Sequence, residues 1–144
     1  MTPFEYKSLL ANLQRDVRVA LACGYGWERV RHRHGSAYLL SGGILEYSYL
    51  QVLNSQVRAD GPLPYDGWQH WQPTTDTTIW TALMDVRHPS NGFEMGISSN
   101  KDDRRTAWYG SDSASYTSRA SKGEAVCACF VAADPLGHLE RAGV

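Results

Sequence analysis

Between Ala125 and Ala133 the chain reads Ala-Val-Cys-Ala-Cys-Phe-Val-Ala-Ala, a run without a single charge. Ser121 and Glu124 precede it at the spacing of a capping box, where hydroxyl and carboxylate satisfy orphan amides of a first helical turn. Asp134-Pro135 follows and stops it, because proline has no amide hydrogen and its ring collides with the preceding turn. The segment is therefore predicted as a helix with no polar face. Such a helix must be buried on most sides, so the rest of the chain has to cover it.

Two further helices are expected. Thr2, Pro3 and Glu5 form an N-terminal cap, and Tyr6, Leu9, Leu10, Leu13, Val17, Ala20 and Leu21 recur at helical spacing until Gly24 and Gly26. A second helix starts near Asp76, with Ile79, Trp80, Leu83 and Val86 as its buried stripe and His88-Pro89 at its end. Trp27–His34 and Ser36–Leu40 are expected to form a short hairpin of low regularity around Gly35. Phe93, Met95 and Ile97 alternate with polar or small residues as in a half-buried strand. Strands over 105–111 and 115–119 should complete an antiparallel meander. The stretch 44–53 fits a strand by its alternating tyrosines and a helix by Leu45, Tyr49, Val52 and Leu53, and both readings stay open. Residues 60–73, punctuated by Gly61, Pro62, Pro64, Gly67 and Pro73, read as a loop whose tryptophans fold back on the core.

The expected class is α+β, an α/β sandwich with an antiparallel sheet packed by about three helices. At 144 residues the chain suits one domain over 1–144. Residues 44–63 are expected to be an insertion and 136–144 a frayed tail. A formal net charge of −1 argues against a non-specific nucleic-acid binder, which carries a strong basic excess. Three cysteines, Cys23, Cys127 and Cys129, make no disulfide framework and read as reduced core residues. No apolar run is long enough to span a membrane, and the first residues lack the pattern of a signal peptide. A cytoplasmic site of action is the expectation.

Along the chain stand, in order, Gly26-Trp27-Glu28-Arg29-Val30, the Thr74-Thr75-Asp76 helix start, Gly92-Phe93-Glu94-Met95, Ala107-Trp108-Tyr109, and the small-residue helix Glu124–Ala133. This order of elements resembles the phage ABA sandwich family, small bacteriophage α/β proteins. The resemblance covers roughly Trp27 to Ala133. It implies phage origin and an α/β sandwich, and it carries over no catalytic residues.

No catalytic motif is present, and the sequence alone names no reaction. Lys101-Asp102-Asp103-Arg104-Arg105 is the densest charge cluster. As a solvated hairpin loop it would pair its charges internally. As a binding element it would place Arg104 and Arg105 near Trp108 and Tyr109, so that aromatic faces stack a base while arginines fork onto phosphate. Arg31 and His34 offer a second basic strand, where Arg29, Arg31 and Arg33 share a face. His32 and His34 also share one, but a metal site would need a third ligand such as His70, His88 or Asp66, and no metal or other cofactor is assigned. Cys129, in an apolar helix, is rejected as a nucleophile.

Taken with the phage resemblance, these features favour a non-enzymatic binding module. It would be a counter-defence protein sequestering a small nucleotide-type immune signal, its ligand residues Lys101, Arg104, Arg105, Trp108, Tyr109, Arg31 and His34. Homo-oligomerisation is expected, because a subunit interface can enclose a small ligand. One alternative is an inhibitor of a host defence complex using Tyr47, Tyr49, Trp68 and Trp71 as exposed hot spots. The other is a small metal-assisted hydrolase using His32 and His34.

Overall fold

The structure, a computed structural model, describes residues 16–32, 35–45, 48–52, 68–89, 92, 94–99, 105–109, 115–118 and 121–143. The N-terminal capping box therefore lies outside the described residues. The fold is α+β, as expected, with two compact units, Met1–Trp71 and Gln72–Val144. Each unit has its own small sheet, because the helix-forming stretch after Asp76 interrupts the run of strands.

The first unit opens with helix α1, described over residues 16–22. Its end is set by Gly24, whose left-handed φ of 82° an L side chain resists. The Gly24 amide bonds the Leu21 carbonyl at 2.9 Å and the Tyr25 amide bonds the Ala20 carbonyl at 3.2 Å. This is the Schellman pattern, which satisfies carbonyls the last turn would otherwise orphan. Four strands follow: β1 (Gly26–His32), β2 (Gly35–Ser41), β3 (Ser48–Val52) and β4 (Trp68–His70).

The β1–β2 hairpin is regular rather than irregular. Every residue from Gly26 to His32 has a partner, ending at His32 opposite Gly35, so Gly35 begins β2 instead of separating the strands. The ambiguous stretch resolves as a strand over Ser48–Val52, antiparallel to β2. Trp68–His70, expected in a loop, is a strand paired in parallel with β3. Three residues give too few alternations to stand out among prolines and glycines.

Antiparallel register puts Trp27, Leu40 and Tyr49 on one side of this sheet. All three are buried, together with Val17, Val19, Ala20, Leu21, Ala22, Cys23, Tyr25 and Trp71. Tyr25, Tyr49 and Trp71 meet edge to face, with centroids 5.0 to 6.0 Å apart. The Trp71 indole donates to the Asp16 carbonyl at 2.8 Å, tying the chain after β4 to α1.

In the second unit, α2 (Thr77–Met84) begins at Asp76, whose carboxylate accepts the Thr78 amide at 3.0 Å. It stops before the expected His88-Pro89. The Asp85 and Val86 amides fall back to the carbonyls of Ala82 and Leu83, and the Met84 carbonyl is taken by the Met95 amide. A continuing helix would need that carbonyl for residue 88. The strands β5 (Gly96–Ser99), β6 (Arg105–Trp108) and β7 (Ser115–Ser118) form the expected antiparallel meander.

Helix α3 (Lys122–Ala133) packs on β6 and β7 and against α2. The Ser121 hydroxyl accepts the Glu124 amide at 3.1 Å, one of the two bonds of a capping box. Gly123, Ala125, Val126, Cys127, Cys129 and Phe130 are all buried, so the helix is enclosed around much of its circumference. Asp134 ends it in the left-handed region, φ 43°, a conformation aspartate tolerates better than most residues. Beyond it the chain is ordered where fraying was expected, forming the short helix α4 (His138–Ala142). The Asp134 carboxylate accepts the Leu139 and Glu140 amides at 3.1 and 3.0 Å, and Leu139 is buried. No helix among the described residues is long and apolar enough to cross a membrane.

Candidate functional site

The candidate residues that the structure describes in most detail lie on β6. Side chains alternate along a strand, so Arg105, Ala107 and Tyr109 are directed to one side and Thr106 and Trp108 to the other. Ala107 and Tyr109 are fully buried, which makes theirs the core side. Trp108 and Thr106 are half-buried, and their neighbour Ser98 on β5 is exposed.

Trp108 and Tyr109 therefore do not share a binding surface. The Tyr109 ring packs with His88, centroids 5.5 Å apart, and offers no face for a ligand to stack on. Adjacent positions in a strand point opposite ways, and that alternation divides the expected aromatic pair. Arg105 is half-buried at the start of β6, opposite Ser99. Lys101 and Arg104 lie outside the described residues, as does His34. Arg31 belongs to the other unit, where it pairs with Ser36 on β2.

Trp108 is held by a contact that alternation alone does not reveal. Its cross-strand partner is Gly96, and a Cβ built there would stand 2.6 Å from indole Cε2 and Cζ2. The ring thus lies against the bare backbone of β5. The sequence held one signal: a lone glycine in an alternating strand marks a bulge or a close approach. The result is a partly open indole fixed in position, with the hydroxyl residues Thr106 and Ser98 opposite each other in the next row. Such a surface can stack a planar ring and offer hydrogen bonds to its edge.

Other candidate chemistry is weaker. Burial pushes the Cys129 thiol up to about 11, away from the thiolate a nucleophile needs. None of the three cysteines is in a disulfide, and all are buried. Burial also raises the Tyr25 phenol, with Cys23 and Tyr49 adding to it and the hydrogen bond to the Leu45 carbonyl opposing it. Among the described residues no three His, Cys, Asp or Glu side chains gather as a metal site would require. Of the four aromatics considered as exposed hot spots, Tyr49 and Trp71 are buried in the first unit, 1% and 2% exposed. They serve its core and cannot anchor a partner in this conformation.

Comparison of the chain with protein-family models, with curated proteins and with solved structures finds no match.

Proposed function

We propose that this chain is a binding module, a phage-encoded counter-defence protein that sequesters a small nucleotide-type signal in the infected cell. One observation carries the reading. Trp108, held on Gly96 and partly open, sits on the strand that the Lys101–Arg105 stretch leads into. An indole face stacks any nucleobase, at about 1–3 kcal/mol per base, and arginines supply forked donors for phosphate. The element order, similar to phage ABA sandwich proteins, supports the phage origin. The near-neutral net charge fits a small ligand better than a long polyanion.

The test is a thermal-shift and calorimetric screen of the purified chain against cyclic oligonucleotides, ADP-ribose derivatives and common nucleotides. A ligand bound to the folded state raises the melting temperature in proportion to the logarithm of its concentration over Kd. A shift with the ligand recovered unchanged supports sequestration. Recovery of a modified ligand makes the chain an enzyme. No shift across the panel overturns the nucleotide reading. For a ligand that binds, Trp108→Ala and Arg104→Ala should each weaken affinity about tenfold or more, since tenfold corresponds to about 1.4 kcal/mol.

A further inference from the structure

We draw no further inference here: the strongest candidate, the buried indole N–H of Trp27 beside Tyr38 on the first sheet, is a lone donor without an acceptor, and nothing else among the described residues shows what it would hold.

Discussion

The indole of Trp108 lies across Gly96, its antiparallel partner, so closely that a Cβ at position 96 would stand 2.6 Å from two ring carbons. The glycine thus fixes where the aromatic face sits. Gly96→Ala should force the ring aside, because a side chain yields more readily than the backbone of β5. The expected destabilisation is about 1 kcal/mol, at the low end for overpacking. Near-ultraviolet circular dichroism should change with it, and a ligand that stacks on Trp108 should bind more weakly. An unchanged spectrum and an unchanged melting temperature would show that the ring does not rest on Gly96.

Gly123 presents the harder version of the same geometry. A Cβ there would collide with the Thr74 carbonyl oxygen and stand 2.8 Å from the Trp80 ring. The first obstacle is backbone, so the first turn of α3 would have to move. In an isolated helix, alanine is favoured over glycine by about 1 kcal/mol. Gly123→Ala should nevertheless destabilise the protein by about 1–3 kcal/mol, the usual range for overpacking. Urea denaturation measures the balance. A variant as stable as the parent would mean that helix propensity wins and that α3 does not press on Thr74.

Elements with strong periodicity or chemical punctuation were legible in the chain. Ser121, Glu124 and Asp134 mark the ends of α3, and the absence of charge from Ala125 to Ala133 announces its burial. Asp76 marks the start of α2 in the same way. Features made by contacts distant in sequence were not legible. Nothing local tells Trp68–His70 to pair in parallel with Ser48–Leu50. Nothing local tells Met95 to take the carbonyl of Met84 and end α2 early. The same limit governs the candidate site. Trp108 and Tyr109 are neighbours in sequence, yet the pleat puts Tyr109 in the core and leaves Trp108 partly open.

The aromatic cluster of the first unit gives a graded test. Trp71 packs on Tyr25 and Tyr49 and donates its indole N–H to the Asp16 carbonyl. Trp71→Phe keeps most of the ring contact and removes the donor, which should cost about 1–3 kcal/mol if the carbonyl is left unsatisfied. Trp71→Ala also opens a cavity and should cost about 3–5 kcal/mol. Equal losses in the two variants would assign the stabilisation to the hydrogen bond. A negligible loss for Trp71→Phe would assign it to packing.

Asp134 joins α3 to α4 by a carboxylate that accepts two amides and a backbone held at φ 43°. Its two functions oppose each other under substitution. Asp134→Gly relieves the left-handed strain but removes the cap, whereas Asp134→Asn tolerates that conformation and keeps one acceptor oxygen. Asp134→Ala loses on both counts and should cost more than the ~0.5–2 kcal/mol of a lost cap alone. Hydrogen exchange at Leu139 and Glu140 reads the cap directly. Both amides should exchange faster in Asp134→Gly and Asp134→Ala than in the parent, with Asp134→Asn between them. Protection unchanged in Asp134→Ala would show that the packing of Leu139 alone holds α4.

The buried thiol of Cys129 sets an alkaline limit on stability. The Cys129 thiol is raised from 9.0 to about 11 by burial, so the folded state keeps a proton that the unfolded chain releases earlier. The unfolded state binds fewer protons across that interval, and the stability slope with pH is therefore negative. This contribution is intact below pH 9 and is lost as pH rises through 11. Raised Tyr25 adds a loss of the same sign at still higher pH. Chemical denaturation at pH 8, 9, 10 and 11 should show stability holding from pH 8 to 9 and falling over the last two steps. Cys129→Ala should flatten that decline relative to its own value at pH 8. A thiol reagent at pH 8 gives an independent reading: Cys23, Cys127 and Cys129 are all buried, so labelling should be slow and accelerate with denaturant. Rapid labelling of Cys129 in the native protein, with no added alkaline sensitivity, would place that thiol at the surface and overturn the burial of α3 on which the second unit is built.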